Sequence, residues 1–416
     1  MAGFFVVLGD IKKKDKVIKS AREVLIDLCR DGVYSTNLPY NKGVKKWAKS
    51  KLSTFADYFG MKANDYIFFF YKRKIYGIGQ LKNIADDCKY WVYQGANICN
   101  KYSNKQIQTT KLWKNAKPDN RVICFFEPVK YYSHAVDMDE ALTAFPGAFK
   151  SLRVLQGKSF IKLDDEEAMA LFAVLNRCGS SVNKEDNVDW EPPTFSTKVH
   201  DVAKKLIKKH PDYYSFTIKT LLTNNNKQCI QDEMLIEAAI VDCINKKEGT
   251  SLWGDWKYVT HQMAASPAKP VEYMEWIDVY GYSCSSYLIE KKIPIQFAIE
   301  QYYVMEIKKE ALNLPIPKRG KETKSNLKTK MVANQLMKYV DWVAKILASG
   351  TYPMVKAFLV ANDFDDEFIK YCKTVCVRNY NDGYRDSIPA IWSNVELIKY
   401  SFDGISIKFE RVPVEQ

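Results

Sequence analysis

Two stretches decide how this chain is read: Tyr273-Met274-Glu275-Trp276-Ile277-Asp278-Val279-Tyr280 and Gln301-Tyr302-Tyr303-Val304-Met305-Glu306-Ile307-Lys308. Both are rich in aromatic and β-branched residues, the composition of strands. In the first, Ile277 and Val279 point to one face and leave Asp278 presented on the other. In the second, Glu306 and Lys308 are two apart, so both side chains leave the same face at the strand's end. An acid and a lysine side by side there, with an aspartate on a neighbouring strand, suit a divalent cation, Mg²⁺ or Mn²⁺, and an activated water. Asp278 and Glu306 would supply oxygen ligands, and Lys308 would orient and help deprotonate the attacking water, or stabilise the charge growing on a phosphate.

Working outward, residues 232–245 have helical periodicity, with Leu235, Ile236, Ala239, Ile240, Cys243 and Ile244 on the apolar side. Glu237 on this helix is placed to complete a metal shell; Glu233, one turn earlier, is the weaker candidate. Downstream come a helix containing Gln335-Leu336-Met337-Lys338-Tyr339, an apolar central strand at Val355 to Ala361 and further strands between Val395 and Phe409. The loop and helix start before Gln335 are basic, with Lys318, Arg319, Lys321, Lys324, Lys328 and Lys330 opposed by Glu322 alone. Beside a metal site, such a run is placed to grip phosphates.

This segment, about residues 230–410, resembles the PD-(D/E)XK nuclease superfamily. Asp278 followed by Glu306-Ile307-Lys308 reproduces its D…ExK core, and Gln335 with Tyr339 matches the QxxxY motif of RecB-type members. Ile277 stands where the family name has proline, a position that varies among members. The resemblance implies a mixed central sheet flanked by helices. It also implies catalysis by Asp278, Glu306 and Lys308, with Glu237 as the first-helix metal ligand and Gln335 and Tyr339 contacting substrate and supporting the metal site.

The N-terminal third has a different character. Asn64 to Tyr71 and Ile75 to Gln80 are aromatic and β-branched runs around the short turn Lys72-Arg73-Lys74, a hairpin pattern. Gly77 and Gly79 recur with period two, marking a close approach or a sharp bend. Strands are also expected at residues 4–8, 90–93 and 121–128, and a helix at 18–30. This hairpin resembles the core of the PUA-like superfamily, and within it the EVE-type domains, small β-barrels that bind modified or flipped bases. The resemblance makes Phe70, Trp91, Tyr93 and Trp113 base-pocket candidates, although barrel core is the ordinary place for such rings.

The architecture expected is therefore α/β: a PUA-like domain over 1–178, a helical linker over 179–229 that begins in the polar stretch Ser180 to Pro193, and a nuclease domain over 230–416. Composition agrees with a folded, water-soluble chain: 416 residues are 47% hydrophobic and 27% charged, with no apolar run near the ~20 residues a membrane span needs. The net charge is +13, and residues 1–150 hold most of it, with 26 basic against 14 acidic side chains. That asymmetry suggests a nucleic-acid-facing N-terminal module. The ten cysteines include no CxxC, which argues against a zinc site, and the N-terminus is not a secretory signal, so a reducing cytoplasm is the expected compartment. No GxxxxGK[ST] occurs, so any ATPase would be a separate partner. These features suggest a Mg²⁺-dependent DNA endonuclease, of the modification-dependent restriction or phage-defence kind by analogy of architecture, acting as a homodimer to cut both strands. The alternatives are a nucleic-acid-binding protein without chemistry and a repair or recombination nuclease for branched or single-stranded DNA.

Overall fold

The computed structural model describes residues 2–13, 16–37, 40–41, 46–47, 49–92, 121–149, 159–178, 194–223, 230, 232–265, 275–315, 323–382 and 388–413. The chain is mixed α/β and divides into two compact units, Met1–Lys150 with Val154–Asn225, and Asn226–Gln416 with Ser151–Arg153. Among the described residues no helix is long and apolar enough to cross a membrane.

The first unit contains β1 (Gly3–Val7), α1 (Ala21–Asp31), β2 (Val33–Asn37), α2 (Lys49–Phe59), β3 (Tyr66–Tyr71), β4 (Lys74–Leu81), β5 (Lys89–Val92), β6 (Arg121–Asp137), β7 (Phe160–Leu163), α3 (Asp165–Cys178) and α4 (Lys198–Lys209). Its sheet runs β7-β1-β3-β4-β6-β2, with β5 also on β6. The expected hairpin is β3–β4. Lys72 and Arg73 both take positive φ, 47° and 64°, as a two-residue type I′ turn demands, without the Asn-Gly that usually supplies it. β6 pairs with β2 and β5 through its first half and with β4 through its second, with register shifts at Pro128/Lys130 and Tyr131/Val136. Such bulges bend a strand, and the sheet curls into a half-barrel. Gly79 serves this packing: a Cβ there would stand 2.6 Å from a ring carbon of Phe126.

Residues 198–223, expected as linker, form α4 and two short helices, Pro211–Tyr214 and Ile218–Thr223, that group with this unit. Phe216, between the short helices, packs on Trp91 at 4.5 Å between ring centroids and on Phe59 at 5.2 Å.

The second unit carries α5 (Glu233–Asn245), β8 (Tyr258–Ala265), β9 (Glu275–Cys284), β10 (Ile299–Ile307), α6 (Lys324–Trp342), β11 (Val355–Ala361), α7 (Asp366–Val375), β12 (Val395–Phe402) and β13 (Ile407–Arg411). Its six-stranded sheet follows chain order, β8 through β13. β8–β9 and β9–β10 are antiparallel, β10–β11 and β11–β12 parallel, and β12–β13 antiparallel. The two parallel steps are crossed by α6 and α7, because a parallel return needs a crossover. Leu336, Met337, Val340 and Val343 pack from the α6 side onto Val304, Ala357 and Leu359 of the sheet.

Candidate functional site

The site grows out of strand register. Val279 pairs with Met305, which brings Asp278 of β9 level with Glu306 of β10. His261 pairs with Val279 and Met263 with Ile277, which brings Gln262 of β8 level with Asp278. Gln262, Asp278 and Glu306 thus form a polar row across three adjacent strands. Asp278 lies between Ile277 and Val279, both fully buried. Facing carboxylates on neighbouring strands repel, so the row is stable only with compensating partners.

Those partners are present. Asp278 Oδ2 accepts a hydrogen bond from the Ile307 N–H at 2.7 Å, and Oδ1 one from Gln262 Nε2 at 3.3 Å. Lys308 Nζ lies 2.6 Å from Glu306 Oε1 and 4.0 Å from Glu233 Oε2. Glu306 is only 1% exposed, and its Oε2 has no hydrogen-bond partner among the described residues. Glu237 projects from α5, a helix that begins at an Asp232 cap and is buried on most sides. Its Oε2 accepts from His261 Nδ1 at 3.1 Å and its Oε1 from Gln262 Nε2 at 2.9 Å. On α6, Gln335 Nε2 donates to the Tyr339 hydroxyl at 2.5 Å.

Electrostatics record the crowding. Burial first, then the charges of Glu306 and Glu237, hold the Asp278 carboxyl well above the usual carboxylate range. Burial, opposed by Lys308, pushes Glu306 up to about 7. Glu233 is raised, chiefly by burial. For Lys308, burial alone would lower the ammonium, but Glu306, Asp278 and Glu233 outweigh it and hold the group above its ordinary value. Burial and then the charge of Glu306 raise the Tyr339 hydroxyl, so the QxxxY pair belongs to the same electrostatic neighbourhood.

The structure therefore brings together Asp278, Glu306, Lys308, Glu237, Gln335 and Tyr339. The donor set suits a hard divalent cation in kind, being all oxygen and including a buried Glu306 atom with no hydrogen-bond partner among the described residues. Sequence reading missed Gln262, whose only signal is a second polar residue beside His261 in the apolar strand YVTHQMAA.

The other expected site residues are placed differently. Phe70 and Trp91 are 5% and 0% exposed. Phe70 packs on Phe5 at 5.1 Å between ring centroids, so both rings are core and neither is open to a base. Tyr93 and Trp113, like Lys318, Arg319 and Lys321, lie outside the described residues. Lys324 and Lys328 are exposed in the first turns of α6, whereas Lys330 lies over the Tyr371 ring, 5.2 Å from its centroid.

No family model and no curated protein matches the chain. Two solved structures align with it: the human THYN1 protein in complex with 5-methylcytosine containing DNA, at 13% identity over 44% of this chain and 99% of that one, and a hypothetical protein from Leishmania major, at 12% identity over 43% and 94%. Both superpose with a TM-score of 0.24, at which level neither bears on the fold or ligand of this chain.

Proposed function

We propose that this chain is a divalent-cation-dependent endonuclease that hydrolyses phosphodiester bonds in DNA. In this reading the second unit is the catalytic module, of PD-(D/E)XK type. The first is a basic, PUA-like module that selects the substrate, as a modification-dependent restriction or phage-defence enzyme requires. The observation that carries the reading is the Asp278–Glu306 row, with Lys308 2.6 Å from Glu306 and Glu237 tied to the same row through Gln262. The order helix, three strands, helix, strand, with two antiparallel pairings and then a parallel one, supports it. The excess of 62 basic over 49 acidic side chains supports a polyanionic substrate.

Asp278, Glu306 and Glu237 would hold the cation, which supplies a polarised phosphate and a more acidic bound water. The ammonium of Lys308, held above its ordinary value, is a poor base. Its role is to counter the charge that grows on the phosphate. Tyr339, fully buried and bonded to Gln335, is kept neutral in the field of Glu306. Cutting both strands would take two copies of the chain.

The test is incubation of plasmid and of base-modified phage DNA with Mg²⁺ or with EDTA, comparing the wild type with Asp278→Ala. Cutting that requires both the metal and Asp278 establishes the activity, and a preference for modified DNA assigns selection to the first unit. Retained binding without cleavage of any substrate overturns it in favour of a nucleic-acid-binding protein.

A further inference from the structure

Gln262 combines two features that ordinary strand geometry does not supply. Among the described residues it is the one non-glycine inside a strand with a left-handed backbone, φ 50°, a strained conformation for a side chain of this kind. Consecutive strand residues point to opposite faces, yet His261 and Gln262 both reach the Glu237 carboxylate, one to each oxygen. The left-handed turn at Gln262 is what allows it. The same Nε2 also donates to Asp278, so one amide bridges two carboxylates from different elements, at 2.9 and 3.3 Å.

We propose that Gln262 gates cation entry: its amide hydrogens lie where a divalent cation shared by Glu237 and Asp278 must bind. This rests on the hydrolytic reading of the same site. The amide presents positive hydrogens to two anions, which is a cation's role in weaker form. A cation that joins Glu237 to Asp278 has to break both amide hydrogen bonds, so Gln262 sets a threshold on cation affinity.

The experiment is calorimetric titration of the full-length chain with Mn²⁺, comparing the wild type with Gln262→Ala, Gln262→Asn and Asp278→Asn. Asparagine tolerates the left-handed backbone but is too short to span both carboxylates, so it keeps the test valid should the alanine variant fold poorly. The expected result is Mn²⁺ affinity at least about tenfold tighter in both Gln262 variants and greatly weakened in Asp278→Asn. Equal or weaker affinity in the Gln262 variants, with Asp278→Asn still impaired, overturns the gate and leaves the hydrolytic site standing. Unimpaired binding by Asp278→Asn overturns both.

Discussion

In the first unit the sheet buries Phe5, Phe68 and Phe70, none more than 5% exposed. In the second, equally deep positions hold Glu237 and Glu306, each 1% exposed and gathered with Asp278, whereas the equally buried Glu167 of the first unit is bonded to Asp164 in capping its own helix. The aromatic burial explains itself, since each ring removed from water stabilises the fold by about 2 kcal/mol or more. Buried carboxylates have no such explanation: each costs several kcal/mol unless paired, and a fold shaped by stability alone would replace them with apolar residues. The polar row is therefore the stronger evidence of function, and the rings that resembled a base pocket are better read as structure.

The sharpest way to break that comparison is Asp278→Asn. The amide keeps the shape of the side chain and removes its charge. Cleavage should fall roughly 10³-fold, the several kcal/mol of a lost cation ligand. Thermal stability at neutral pH should hold or rise, because a repulsive carboxylate has been taken out of the row. A variant that lost stability and kept its activity would place Asp278 with the structural residues.

Trp91→Ala makes the converse test. A fully buried indole packed at a tilt on Phe216 should cost about 3–5 kcal/mol when truncated, measured by denaturant unfolding. Specific loss of affinity for modified DNA with unchanged stability would return Trp91 to a base pocket.

The two units should also answer pH with opposite signs. Glu306 titrates at about 7 in the fold against an ordinary 4.5, so the folded state holds the extra proton between those values. Stability must then fall as pH rises through that window and level off above it, by at most about 3 kcal/mol. Glu306→Gln should reduce that slope, leaving the part that the raised Asp278 and Glu233 carboxyls contribute. His200 in the first unit donates from Nε2 to the Gly32 carbonyl, 2.9 Å away, and burial holds its pKa below the ordinary 6.5. The unfolded chain takes up the proton more readily, so the first unit loses stability as pH falls below about 6.5. Unfolding followed separately at the two units between pH 5 and 8 checks both signs.

Much of the site was legible because its chemistry is written in residue types at strand spacing. Asp278, Glu306 and Lys308 announce themselves against apolar neighbours, and Glu237 does so between the apolar runs Met234–Ile236 and Ala238–Val241. Gln262 was not legible: its importance comes from a left-handed backbone inside a strand, which no residue preference signals for glutamine. Phe70 and Trp91 were ambiguous because an aromatic strand reads alike whether it lines a pocket or fills a core. Residues 198–223 read as a linker because the polar stretch before them looks like a boundary, while Tyr213, Tyr214 and Phe216, which carry them into the first unit's core, are too few to show periodicity.

The smallest effects should separate lysines that sequence places together. Lys324 and Lys328 are exposed on α6, and each Ala substitution should weaken DNA binding a few-fold at all sequences and reduce the salt slope by about one. Lys330 is engaged with the Tyr371 ring, and Lys330→Ala should instead cost about 0.5–1 kcal/mol of stability. Its effect on the salt slope should be slight, because that ammonium is turned toward α7. Salt-dependent binding isotherms for the three variants decide between the two roles. If Lys330→Ala flattens the slope as much as the others, its ammonium leaves the ring to meet a phosphate, and the run of charge acts as one surface after all.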